Sequence, residues 1–150
     1  KIKWGIFLME YFQSDFFDLV DLTIKINKNN RNIEASYLLP LDTYYHEYCS
    51  IDINLGRQTG KTSYIKSHAN FNSLVISHRI TDKTKKNYMY CSHHHLNENS
   101  NAFRGISLRH IDTVYIDEGS FLSKQQRKNL YANIAICSNH KKDITFVFLG

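Results

Sequence analysis

The sequence is short of three things, and each shortage closes off a class of protein. It has one proline, three cysteines and no apolar run long enough to cross a bilayer. A helical span needs about 20 apolar residues, and no such run occurs, so no membrane span is expected. Cys49, Cys91 and Cys137 are odd in number and far apart, which argues against a disulfide framework and for a reducing, intracellular compartment rather than a secreted one. No Cys-x-x-Cys pair occurs, and His93-His94-His95 beside Cys91 offers only adjacent side chains that point in alternating directions. That is not zinc-ligand spacing, so the stretch is read as a solvated loop. The basic, apolar start from Lys1 to Met9 runs straight into Glu10 and Asp15 without a small-residue cleavage site, unlike a signal peptide. No internal repeat or domain boundary is visible, and 150 residues make one domain or a piece of one. A start without Met and an end on an apolar run at Gly150 lead us to expect a segment of something longer.

What is present is an ordinary globular composition, 42% hydrophobic, with a net charge of +5 before its 8 histidines are counted. This charge suits contact with nucleic acid and equally suits a soluble basic surface. Apolar spacing predicts a helix within Phe7 to Val20, capped by Ser14 or Asp15. Leu22 to Ile26 reads as a strand or a helix end, and Asn27 to Asn32 as a turn. Short helices are expected over Ile33 to Leu39, stopped by Pro40, and over Asp42 to Cys49, capped by Asp42 or Thr43. Strands are expected at Ile51 to Leu55, Ser73 to Ser77, Ile111 to Ile116 and Ile144 to Leu149. Helices are expected from Lys61 to about Ala69 and from Lys124 to Ile136, with a charged, helix-capable stretch from Thr81 to Tyr90 and a polar loop from Ser92 to Asn101. Alternating strands and helices imply an α/β fold with a mostly parallel sheet and helices on both faces.

Two motifs stand on these elements. The first is Leu55-Gly56-Arg57-Gln58-Thr59-Gly60-Lys61-Thr62-Ser63, a glycine-bearing loop between a strand and a helix. This is the layout of a phosphate-binding loop. Glycine lets main chain approach an oxyanion, and N–H groups of the loop and helix start point at it. Gly56 through Ser63 are the candidate nucleotide-binding residues, with Lys61 on the β- and γ-phosphates and the Thr62 hydroxyl on Mg²⁺. The common pattern has glycine where Leu55 stands, and Gly56 comes one residue late. The second motif is Val114-Tyr115-Ile116-Asp117-Glu118, an apolar strand ending in two carboxylates. Ligands of parallel sheets bind at that edge. Asp117 is the candidate Mg²⁺ ligand, and Glu118 the general base that polarises the attacking water. A glutamate beside the metal-binding aspartate puts the base on the sheet itself, as in the phosphate-loop branch of helicases, translocases and rotary motors.

The loop from Asn54 to Thr62 resembles the deviant phosphate loop of the large terminase subunit, the DNA-packaging ATPase of tailed phages and herpesviruses. In that family a small residue, Arg, and Gln or Arg precede the Gly-Lys-Thr. Asn101-Ala102-Phe103-Arg104-Gly105 ahead of the acidic strand, with Phe121 after it, is similar to the family too, and Ile144 to Gly150 matches the strand that leads to its coupling motif. The resemblance covers about residues 51–150. It implies a three-layer phosphate-loop NTPase core of the additional-strand, catalytic-glutamate type over 51–150, with a helical N-terminal extension over 1–50. It implies MgATP hydrolysis by Lys61, Arg57, Arg104 and Glu118, with Thr62 and Asp117 as the Mg²⁺ ligands. Arg57 then contacts phosphate, and Arg104 senses the γ-phosphate or acts across a subunit boundary. Double-stranded DNA, a homo-oligomeric ring, a viral portal and the small terminase subunit are the implied partners, in an infected host cell. The family's Tyr-Gln adenine segment has no counterpart beyond Tyr44-Tyr45-His46, and no nuclease domain is present, so nuclease activity is not expected of this segment.

Two other readings share these residues. One is a helicase-like nucleic-acid translocase; the other is a degenerate nucleotide-binding or regulatory module without turnover. His78, Arg79, Lys83, Lys85 and Lys86, followed by Tyr88 and Tyr90, suit nucleic-acid contact and equally suit a solvated helix face, and Lys141-Lys142 is read as a basic turn.

Overall fold

The computed structural model describes residues 2–56, 60–78, 87–96 and 103–150, with side chains from Gln13 onward. The helices are α1 (Ile2–Asn29), α2 (Ala35–Leu38), α3 (Leu41–Tyr48), α4 (Lys61–His68) and α5 (Lys124–Cys137). The strands are β1 (Ser50–Ile53), β2 (Ser73–Ser77), β3 (Met89–Ser92), β4 (Thr113–Asp117) and β5 (Thr145–Leu149). Among the described residues these five strands form one sheet in the order β1-β5-β4-β2-β3. Every pairing is parallel.

An all-parallel sheet must be covered on both faces, and its strands then lose the polar-apolar alternation of a half-exposed strand. β5 is buried at all five positions. Phe146 and Phe148 point to one face, with Leu74, Ile76, Val114 and Ile116, against Tyr44 and Tyr45 of α3 and Leu130, Tyr131 and Ile134 of α5. Val147 and Leu149 point to the other, with Ile51, Ile53, Val75 and Tyr115, against Phe16 and Val20 of α1 and Tyr64 and Ile65 of α4. The result is three layers. The ring centroids of Tyr45 and Tyr131 lie 4.9 and 5.0 Å from that of Phe146, a geometry that adds to simple area burial.

The structure corrects several sequence expectations. α1 begins at Ile2 and runs for 28 residues, so Ser14 and Asp15 lie inside it rather than capping it, and Leu22 to Ile26 is helix. Residues 2–50 supply α1 to one face of the sheet and α3 to the other, and Ser50 opens β1. The segment read as an extension is thus part of both helical layers. Met89 and Tyr90 belong to β3 rather than to a helix. Ser92 closes that strand, and His93–Leu96 is a 3-10 turn with His93 and Leu96 buried, so the start of the expected polar loop is packed structure. Pro40 acts as expected. Leu39 before it is extended at φ −102° and ψ 150°, and α2 stops at Leu38. Among the described residues no helix is long and apolar enough to cross a membrane.

Candidate functional site

β5 lies between the strand that leads into the glycine loop, β1, and the strand that ends in the acidic pair, β4. The carboxyl ends of these three strands converge. The Gly150 main-chain N–H donates to the Ile53 carbonyl at 2.9 Å. A Cβ at Gly150 would stand 3.2 Å from both the Asn54 and the Ser120 side chains, so glycine is what lets the ends close up.

The glycine loop enters and leaves in left-handed conformations. Gly56 has φ 85° and Gly60 φ 89°, where side-chain-bearing residues are rare. The Asn54 side chain accepts the Gly56 N–H at 3.2 Å and starts the turn. Gly60 immediately precedes α4. A side chain there would also meet the Gln13 stem of α1 at 3.0 Å. Arg57, Gln58 and Thr59, three of the expected nucleotide-binding residues, lie outside the described residues.

Lys61, Thr62 and Ser63 open α4 as the sequence predicts. The Lys61 ammonium donates to the Gly56 carbonyl at 2.8 Å and to the main-chain oxygen of Gly150, so it lies between the loop and the end of β5. The Thr62 hydroxyl donates to Asp117 Oδ2 at 2.8 Å, joining residues 55 apart in sequence. The other oxygen, Oδ1, accepts the Glu118 N–H at 3.0 Å. Asp117 is only 7% exposed, and among the described residues no cation lies within ion-pair distance of it. A buried carboxylate with hydrogen bonds but no counter-charge is costly, and it favours a cation. A hydroxyl and a carboxylate in contact are hard oxygen donors of the kind Mg²⁺ takes, alongside water and phosphate oxygens. Thr62 and Asp117 therefore fit such an ion. Among the described residues no group of three or more His, Cys, Asp or Glu side chains could hold a metal alone, and Mg²⁺ in this manner needs none.

Glu118 sits on a turn that strains the main chain. Its φ of 54° and ψ of 40° are left-handed, uncommon for a glutamate. Gly119 follows because a Cβ there would stand 3.1 Å from Phe148. The Phe121 N–H closes the turn on the Glu118 carbonyl at 3.0 Å. Ser123 then caps α5 in a reciprocal box with Gln126.

The sequence reading missed the neighbour of this turn. His93 is 4% exposed, and its Nε2 lies 3.0 Å from the Asp117 carbonyl. Burial lowers its pKa, with the Asp117 carbonyl opposing. A carbonyl oxygen can only accept, so Nε2 carries a proton and donates. Nothing in the sequence signalled it, because the stretch before it, Met89–Ser92, is recognisable as a strand only in the structure.

Arg104 is not brought to this site. It lines a cleft of about 570 Å³ with Arg109, Asn133 and Asn139, where α5 ends. The 14 residues of α5 span roughly 21 Å at 1.5 Å per residue, which puts that cleft at the opposite edge of the sheet from Ser123. Gly105, next to Arg104, turns the chain at φ 81°. Tyr44 and Tyr45, the residues in the place of an adenine-binding segment, are core residues at 3% and 0% exposure. The Tyr45 hydroxyl is bonded to the Lys141 carbonyl.

No protein-family model matches the chain, and neither the characterised proteins nor the solved structures contain a match to it.

Proposed function

We propose that the chain is an ATP-hydrolysing motor domain of the phosphate-loop class, similar to the large terminase subunit that moves double-stranded viral DNA into a capsid. The observation that carries the proposal is the Thr62 hydroxyl on the Asp117 carboxylate at 2.8 Å, at the convergence of β1, β5 and β4. It brings the end of one motif onto the end of the other, as a shared Mg²⁺ requires. The strand inserted between β1 and β4 suits the additional-strand, catalytic-glutamate branch, as does Glu118 directly after the aspartate that ends β4.

Loop and helix N–H groups, with the α4 dipole behind them, receive the phosphates. Lys61 swings from the Gly56 and Gly150 oxygens to the β- and γ-phosphate oxygens. Thr62 and Asp117 would hold Mg²⁺, which would supply charge neutralisation for the phosphate oxygens. Glu118 orients the attacking water and takes its proton. Phosphoryl transfer asks chiefly for positioning and charge stabilisation, and these side chains supply both. Arg57 belongs to the same loop and serves as the phosphate-contacting cation. Arg104, at the other edge of the sheet, suits action on a neighbouring subunit of a homo-oligomeric ring better than action on its own nucleotide. Under this reading the ring works with a portal and a small terminase subunit in the infected host cell.

The test is steady-state ATP turnover with and without double-stranded DNA, for the unaltered protein and for Glu118→Gln. The expected result is DNA-stimulated hydrolysis, reduced by about 10²-fold or more in Glu118→Gln, whose nucleotide binding persists. Stimulation by single strands alone would favour a helicase-like translocase. Binding with no turnover in either protein would favour a nucleotide-binding regulatory module.

A further inference from the structure

We propose that His93 is the positioning residue of the acidic turn, holding the main chain of Asp117 so that Glu118 keeps its left-handed conformation. This rests on the reading of Glu118 as the base.

A left-handed glutamate is strained and persists only where its surroundings over-determine it. What over-determines it here comes from the ends of three strands. β3 runs directly into the 3-10 turn that carries His93, and the imidazole donates from Nε2 to the Asp117 carbonyl at 3.0 Å. That carbonyl belongs to the peptide unit whose N–H is Glu118's own, and this N–H is bonded to Asp117 Oδ1. The peptide plane between metal ligand and base is therefore held on both sides, by His93 at its oxygen and by the Asp117 carboxylate at its nitrogen. His78, directly after β2, packs edge-on against His93 at 5.6 Å between centroids. It also lies 5.9 Å from Phe121, three residues past Glu118. The two imidazoles and Phe121 thus bracket the turn from Asp117 to Phe121. Among the described residues no hydrogen bond or ring contact joins His93 or His78 to Lys61 or Thr62, so the bracket bears on the turn that carries the base.

The chemistry required of position 93 is one buried N–H donor at the place of Nε2. Glutamine supplies an amide N–H at a similar reach, whereas phenylalanine fills the space and supplies none. In ATP turnover, His93→Phe should lower kcat by about tenfold to a hundredfold, the scale expected when a catalytic group is misplaced by an ångström or less. KM for ATP should stay near that of the unaltered protein, and the melting temperature should fall by only the few degrees expected for one lost buried hydrogen bond. His93→Gln should recover most of the lost kcat. Unchanged kcat in His93→Phe overturns the proposal. So does an equal loss in His93→Gln, or a rise in KM as large as the fall in kcat.

A second measurement does not depend on turnover. Ring ¹⁵N shifts of His93 should report a proton on Nε2, and His93→Phe should displace the Glu118 and Gly119 amide signals while leaving that of Thr62 in place. The opposite tautomer, or an undisturbed Glu118 amide, contradicts the positioning role even if the protein hydrolyses ATP. If the unaltered protein neither binds nor hydrolyses ATP while both NMR results hold, it is the assigned function that fails, and His93 still fixes the turn.

Discussion

The two ends of the sheet are built from the same five strands and closed in opposite ways. At the amino end, side chains tie off the main chain. The Tyr45 hydroxyl meets the Lys141 carbonyl, and the Lys141 ammonium donates to the Ile111 carbonyl at 2.8 Å. Arg31 donates to Asp143 at 3.0 Å and to Thr145 Oγ1 at 2.6 Å, and Asn27 donates to the Tyr48 carbonyl at 3.0 Å. At the carboxyl end the polar groups are turned toward one another instead: a lysine on two main-chain oxygens, a hydroxyl on a carboxylate, and a glutamate on a left-handed turn. Polar groups satisfied by fixed structural partners stabilise a fold. Charged groups gathered with weak or exchangeable partners stabilise it little, and such a place can exchange those partners for a ligand. The difference teaches that the amino end holds the sheet together, whereas the carboxyl end gathers polar groups whose partners a ligand could replace.

Substitutions at the two ends should therefore separate stability from ligand binding. The largest effect is expected from Tyr45→Ala, which empties a core site between Phe146 and Tyr131 and removes the bond to Lys141. It should cost about 3–5 kcal/mol, read by urea unfolding, and a loss under 1 kcal/mol would break the comparison. Lys61→Ala should leave unfolding within about 0.5 kcal/mol and weaken ATP binding by about 10- to 100-fold, the worth of one charge-assisted contact. A large stability loss with unchanged binding would reverse the roles assigned to the two ends.

A further effect is alkaline. Burial pushes the Cys49 thiol up from its ordinary 9.0 to about 11 and the Cys91 thiol to about 12. Burial likewise pushes the Tyr45 and Tyr131 hydroxyls from 10.0 to about 12. These groups bind protons more tightly folded than unfolded, so stability falls with pH only once the unfolded chain begins to ionise. Their contribution is whole below pH 9 and lost progressively from there toward pH 12. The urea midpoint should accordingly be flat from pH 8 to 9 and decline above it, and a decline already complete by pH 9 would contradict the burial of these residues.

The sequence was legible where local chemistry and tertiary demand agree. Ser73 to Ser77 is a compact apolar run and is a strand with those same limits. The glycine loop and the start of α4 fell where the Gly-Lys-Thr pattern put them, because the left-handed φ at Gly56 and Gly60 is something glycine adopts readily. It was not legible where packing decides. Met89-Tyr90-Cys91-Ser92 has no β-branched residue and becomes a strand only by pairing with β2. His93 sat in a triplet that looked solvated. What makes it a buried donor is the 3-10 turn after β3, which carries it under Asp117, 24 residues away. The long start of α1 was hidden by caps that looked plausible at Ser14 and Asp15. Arg104 lay close to the acidic strand in sequence, yet the sheet separates them because its loop feeds β4 from the amino end.

The most direct test of the carboxyl end as a Mg²⁺-nucleotide site is the Mg²⁺ dependence of ATP binding, measured by titration calorimetry for the unaltered protein and for Thr62→Ala. If Thr62 and Asp117 share the ion, Mg²⁺ should strengthen binding by about tenfold or more in the unaltered protein, the worth of one charge-assisted contact, and by much less in Thr62→Ala. Equal Mg²⁺ dependence in both proteins, or no ATP binding by the unaltered protein, would contradict the account.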